Sequence, residues 1–226
     1  MKTRLALTVL VAAGMASVAS AQMQPTVFYG GNFDGENGLS DEFNTAVGDA
    51  FVFENFNWDG NGTISEIYAN YLSDLGPGDI SGYNYEIRSG VSANNGGTLE
   101  ASGTGTGTWT ANGMDGFGFT GQTLTSDLML NISLPAGMYW VALAPIGPGF
   151  GRAFVDTTSG AGSIGSPIND DNNYFTSNTF GFSFEPVVNV LGSGVDFSYG
   201  ITQKVPAPGA LALLGLGGLA SIRRRR

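Results

Sequence analysis

Large apolar side chains recur at every second position in short runs, and Gly, Asn, Asp or Pro closes each run. Tyr83, Tyr85 and Ile87 share one face of such a run, as do Leu128, Leu130, Ile132 and Leu134, and Phe180, Phe182 and Phe184. A period of two is that of a strand with one buried face, and it does not suit a helix of 3.6 residues per turn. No stretch offers an amphipathic helix of three turns, and 36 glycines supply the tight turns that many short strands need. About ten strands are predicted, among them Ala50–Asn57, Thr63–Leu72, Tyr83–Arg88, Thr179–Phe184 and Val195–Ile201. In Ala50–Asn57 the aromatic positions are Phe51, Phe53 and Phe56, so the alternation slips after Phe53. Asp127–Leu134, the turn Pro135-Ala136-Gly137 and Met138–Ala144 predict a hairpin. Thr157–Asn178 is rich in Ser, Gly and Asn and predicts a long loop, with or without a minor strand. The expected fold is all-β, a jelly-roll-like two-sheet β-sandwich with one dry and one wet face per sheet.

The two ends read differently from the body. Residues 1–21 carry Lys2 and Arg4, an apolar stretch from Leu5 to Val18, and the small residues Ala19 and Ala21 before Gln22. That is the layout of a secretory signal peptide with its cleavage site. Residues 205–226 hold Val205, Pro206, Pro208 and Gly209, then the apolar run Ala210–Ile222, then Arg223, Arg224, Arg225 and Arg226. As a helix that run would be roughly 20 Å long, short of a bilayer core of ~30 Å, so crossing needs snorkelling arginines at its end. The arginine cluster would keep that end cytoplasmic.

Proline motif, short apolar helix and basic terminus together resemble the PEP-CTERM sorting signal of Gram-negative bacteria. The family's motif has Glu between the prolines where this chain has Ala207. The resemblance implies an exosortase-type membrane protease as partner, transient membrane anchoring through the C-terminal helix, and release to the cell surface or exopolysaccharide. A plain single-span anchor is the alternative. Within the body, Tyr85–Gly90, Gly97–Gly103, Met138–Val141 and Gly149–Gly160 resemble a recurrent, sandwich-like body of secreted PEP-CTERM proteins. That likeness implies a fold and no activity.

Between the ends, residues 22–204 are long enough for one domain with a sizeable core. This body keeps only Arg88, Arg152 and Lys204 against all 19 acidic residues, a net charge of −16, whereas the whole chain carries −10. Such a charge repels phosphate backbones and makes nucleic acid an unsuitable partner, while attracting divalent cations. Cysteine and histidine are both absent. Without them the chain has no disulfide, no thiol chemistry and no imidazole for general base or metal work, which argues against an enzyme.

Four sets of residues could carry binding chemistry. Asn57-Trp58-Asp59-Gly60-Asn61-Gly62 places oxygen ligands at positions 1, 3 and 5 of a calcium loop, but Tyr68 stands where a bidentate Glu is needed. Asp59 and Asn61 could form a weak surface Ca²⁺ site, or simply a turn between strands. Asp170 and Asp171, inside Asn169–Asn173, form a second oxygen-rich loop that a cation would screen. Trp58 and Trp109 could stack on sugar rings or belong to the core. Thr104, Thr106, Thr108 and Thr110 at period two could present a threonine face of the ice-binding kind, or a polar outer strand.

The resulting expectation is a non-enzymatic structural or adhesive protein of the outer surface or exopolysaccharide matrix. A carbohydrate-binding module or polysaccharide hydrolase is the competing class, and ice binding a lesser one. Hydrolysis would need two carboxylates ~5–9.5 Å apart in a cleft, and no pair among 19 acids is singled out by the sequence.

Overall fold

The computed structural model describes residues 24–127 and 130–204. The expected signal peptide, sorting tail and short C-terminal helix lie outside the described residues. Among the described residues there are fifteen strands and one short helix, more strands than the ten expected because short strands also form at 26–44, 98–125, 153–158 and 174–177. They form two sheets facing each other across one core, so the sandwich is observed.

The first sheet runs in the order β1 (Thr26–Tyr29), β15 (Tyr199–Lys204), β5 (Thr63–Ser73), β11 (Ala153–Thr158) and β14 (Asp196–Phe197). To it belong β2 (Phe33–Ser40) on β11, and β8 (Thr108–Ala111) and β9 (Thr120–Thr125) beyond the other edge of β5. The second sheet runs β13 (Phe182–Pro186), β12 (Tyr174–Ser177), β4 (Gly48–Trp58), β3 (Glu42–Asn44), β10 (Gly137–Gly147), β6 (Gly82–Ser89) and β7 (Thr98–Gly105). The helix α1 (Val187–Leu191) follows β13 and ends on Gly192, whose φ of 78° is the left-handed conformation that closes helices.

Strand β4 shows why the sheets stack as they do. Its even positions Ala50, Val52, Phe56 and Trp58 enter the core between the sheets, with Ile67, Tyr71, Val141 and Tyr199 among their neighbours in the cluster. Its odd positions Phe51 and Phe53 face the opposite way and meet Val91, Trp140, Ala142 and Ala144 in a second apolar cluster. Phe184 and Arg88 complete that cluster, with the guanidinium 5.1 Å from the Phe184 ring and 5.7 Å from that of Phe53. The apparent slip after Phe53 is therefore two buried faces on one straight strand. The expectation of a wet outer face fails for this sheet because its middle is covered by Val91 and Phe184.

The hairpin expected at Pro135–Gly137 is not formed. Leu130 and Ile132 hydrogen-bond to Ser65 and Ile64 and so extend the first sheet along β5, whereas β10 belongs to the second sheet and pairs with β4 and β6. The turn carries the chain from one sheet to the other. Alternation put Leu134 in the core correctly, but it specifies a face and not a partner.

The four threonines are also divided. Thr104 lies on β7 in the second sheet, and Thr108 and Thr110 lie on β8 in the first, with the crossing at Thr106 and Gly107. All four are exposed, but they do not line one strand. Phe182 packs on Phe175 while Phe184 turns to Phe53, because Phe184 has a φ of 48° and breaks the alternation.

Candidate functional site

Position 54 carries Glu where the core register of β4 calls for an apolar residue, between Val52 and Phe56. Glu54 is 1 % exposed. Its Oε1 accepts the N–H of Asn55 at 3.1 Å, and its Oε2 accepts the N–H of Phe197 at 2.8 Å and the Asn173 amide at 3.4 Å. Those bonds tie the second sheet to β14 at the edge of the first.

Asp196 on β14 is buried next to it. The loop from Ser159 to Asn173 folds over this edge, and Asn169 and Asp171 both adopt a φ of 55°. The left-handed turns aim two backbone N–H groups at one carboxylate: Asn169 donates to Oδ2 of Asp196 and Asp171 donates to Oδ1 at 3.1 Å. Between them Asp170 points inward, with Oδ2 accepting the Asn55 side-chain amide at 2.9 Å. One oxygen each from Glu54, Asp170 and Asp196 lies within 4.8 Å of the other two. Burial drives the Glu54 carboxyl well above the usual range, and the Asp196 and Asp170 charges add to it. Asp196 is raised by burial and then by Asp170 and Asp171, although its two backbone donors pull the other way.

Outside this cluster an open cleft of about 260 Å³ is lined by Asp34, Glu36, Asn169, Asp171, Val195 and Asp196, among others. A β-carbon on Gly194 would meet the Asp171 carboxylate, which would have to swing aside. The predicted pair Asp170 and Asp171 is thus split. Asp170 joins two acids that the sequence reading did not single out, and Asp171 lines the outer cleft. The available signal was Glu54 at a core position of an alternating strand.

The other predicted residues fall elsewhere. Asp59 and Asn61 form the turn between β4 and β5, where Asp59 accepts both the backbone N–H of Asn61, at 2.8 Å, and its side-chain amide, at 3.2 Å. These bonds lower the Asp59 pKa and occupy both its oxygens. Trp58 and Trp109 are 3 % and 6 % exposed, and their indole N–H groups donate to the carbonyls of Leu134 and Leu75. They are core residues, so the stacking role fails for want of an exposed ring face. An exposed aromatic group does exist on the first sheet. Phe117 is 64 % exposed, makes an edge contact with Phe33, and borders a shallow groove with Phe119, Phe154 and Asn37.

Two further carboxylates are enclosed in the sandwich. Asp41 accepts the hydroxyls of Tyr199 at 2.6 Å and Tyr71 at 3.0 Å on Oδ2, and the N–H of Val52 at 3.2 Å on Oδ1. Burial pushes its pKa up to about 8. Asp156 on β11 is pushed up to about 8 by burial and by the neighbouring Asp34, against a pull from the nearby Leu72 N–H, and no donor meets either oxygen in good hydrogen-bond geometry. The chain matches no protein-family model, no curated protein and no solved structure. Among the described residues no helix is long and apolar enough to cross a membrane.

Proposed function

We propose that this chain is an exported, surface-sorted β-sandwich with a structural or adhesive role at the outer surface or in the exopolysaccharide matrix. The observation that carries the reading is the open acidic cleft at the sandwich edge, where Asp34, Glu36 and Asp171 present carboxylates to solvent. In a body with three cations and 19 acids, such a cleft is suited to meet acidic polysaccharide through shared divalent ions. The terminal sequences support export and sorting. The burial of two raised carboxyls supports a non-enzymatic role in its turn: Asp41 and Glu54 are 0 % and 1 % exposed and so out of reach of a dissolved substrate. The test is retention of the purified protein on an acidic polysaccharide resin with and without Ca²⁺. Binding that needs Ca²⁺ and falls in Asp34→Asn/Glu36→Gln is expected, and binding indifferent to both overturns the reading. Removing residues 205–226 should shift the protein from the cell surface to the medium or periplasm, read by fractionation.

A second reading rests on Phe117 and its neighbours. An exposed ring beside Asn37 suits the apolar face of a sugar, with an amide for its hydroxyls. Glycan-array binding that is lost in Phe117→Ala and kept in Asp34→Asn would favour a carbohydrate-binding module.

A further inference from the structure

We propose that Glu54, Asp170, Asp196 and the side-chain carbonyl of Asn55 form a calcium site, buried at Glu54 and Asp196 and open at Asp170, that clasps the second sheet to the edge of the first. This site shares Asp196 with the wall of the outer cleft, but Glu54 and Asp170 lie outside that lining, and it does not depend on where the protein is sorted.

Three carboxylates meet here without a basic partner. Among the described residues Arg88 pairs with Glu86 and Arg152 with Glu42, each at 2.6 Å, and Lys204 lies opposite Thr63 at the end of β15 remote from β14. Backbone N–H groups satisfy part of Glu54 and Asp196, yet each carboxylate offers about four lone-pair directions and keeps some unused. The second observation is Asn55. It is 1 % exposed, its amide nitrogen is bonded to Asp170, and its Oδ1 has no partner at all. A buried amide oxygen of this kind costs about 1–3 kcal/mol unless a donor or a cation meets it. With a cation among the three carboxylates, a rotation of the terminal amide that exchanges its O and N turns the oxygen to the ion as a neutral ligand, in place of the Asn55–Asp170 hydrogen bond.

Ligand chemistry selects the ion. One oxygen from each carboxylate lies within 4.8 Å of the other two, a span that Ca²⁺ with ligands at 2.3–2.6 Å can fill. Mg²⁺ at about 2.1 Å requires a tighter, near-octahedral set and dehydrates reluctantly, which a buried site disfavours. Oxygen-only ligation also excludes a soft metal. The ligands come from β4, from the loop Ser159–Asn173 and from β14, so an ion would hold three separate segments together.

The full chain, freed of metal with EGTA, is titrated with Ca²⁺ and with Tb³⁺. Trp140 pairs directly with Asn55 across β4 and β10 and would sensitise Tb³⁺ luminescence at this site. Saturating Ca²⁺ should raise the melting temperature by roughly 5–10 °C at a hundredfold excess over Kd and quench the Tb³⁺ signal. Asp170→Asn, on an exposed loop and so safe for folding, should weaken both effects at least tenfold, and Asn55→Ala should weaken them less. Asp171→Asn and Asp59→Asn should leave them unchanged. The proposal is overturned if Ca²⁺ fails to shift the wild-type melting temperature. It is equally overturned if Mg²⁺ competes as an equal, or if Asp171→Asn or Asp59→Asn abolishes the response while Asp170→Asn keeps it. Loss of polysaccharide retention with the melting shift intact would count against the proposed function and not against this site.

Discussion

Asp41 and Glu54 are both buried carboxyls in the same sandwich, and their surroundings are opposite. Asp41 is held by neutral donors, the phenols of Tyr71 and Tyr199 and a backbone N–H. Glu54 is held beside two more carboxylates. A carboxyl enclosed with phenols can persist as a neutral or shared-proton group at neutral pH, and it cross-links the strands around it. A carboxyl enclosed with like charges is satisfied only by taking up a proton or a cation. The first arrangement is complete without a ligand, and the second calls for one.

The largest expected effect tests the first arrangement through pH. Asp41 and Asp156 have folded pKa values of about 8 against 3.8 for the unfolded chain, so the folded protein holds protons that the unfolded chain releases. Between about pH 4 and pH 8 these groups make stability fall as pH rises, by up to ~1.4 kcal/mol per pH unit for each group. Below that window both states are protonated and above it neither is, so the slope vanishes at both ends. Glu42, Tyr71 and Tyr199 face Asp41, and Asp34 and Tyr71 face Asp156. Urea denaturation should give a protein several kcal/mol more stable at pH 5 than at pH 8, and Asp156→Asn should flatten part of that slope. A stability maximum at pH 8 would mean that Asp41 is ionised and that its phenols stabilise the anion.

Removing Asp41 is the next largest. Asp41→Ala strands the Val52 N–H and weakens the support of two buried phenols, at an expected cost of about 3 kcal/mol. Glu54→Gln should act in the opposite sense in EGTA. The amide still accepts the Phe197 N–H and stays neutral at high pH, where an ionised Glu54 would add a charge to a crowded set, for a gain of about 1 kcal/mol there. With Ca²⁺ present the same variant should be the less stable one. A variant that loses stability equally with and without Ca²⁺ would place Glu54 in the same class as Asp41.

Much of the fold was legible because alternation is a direct record of strand faces. Tyr83 and Ile87 on β6, and Phe197, Tyr199 and Ile201 near the C-terminal end of the body, are buried as their spacing requires. Partnering was not legible. The Leu128–Leu134 alternation is compatible with pairing to β10 or to β5, and only the sandwich decides, because Pro135–Gly137 serves as an arch as readily as a hairpin turn. Site residues were half legible for a related reason. Asp170 stood out as a loop acid, but its partners Glu54 and Asp196 lie 116 positions before and 26 positions after it, on strands of different sheets. Trp58 and Trp109 were ambiguous because a ring that stacks on sugar and a ring that fills a sandwich have the same sequence signature.

The smallest effect separates the two phenols on Asp41. Tyr199 is the shorter donor at 2.6 Å and also lies 3.0 Å from the Val52 carbonyl, while Tyr71 reaches both Asp41 and the carbonyl of Leu143. Each hydroxyl carries one proton, so each tyrosine bonds either the carboxyl or a carbonyl at a given moment. If Asp41 holds its own proton, it can donate to one phenol while the other donates to it, and losing either hydroxyl leaves a working pair. Tyr71→Phe and Tyr199→Phe should then cost about 1 kcal/mol apiece, and the double variant should cost more than their sum, since the last partner of a buried carboxyl has gone. The denaturation cycle should be run at pH 5, where Asp41 is protonated. Strict additivity there would show the two hydroxyls acting on their carbonyls alone, and the contrast between Asp41 and Glu54 would then rest on Val52 and burial.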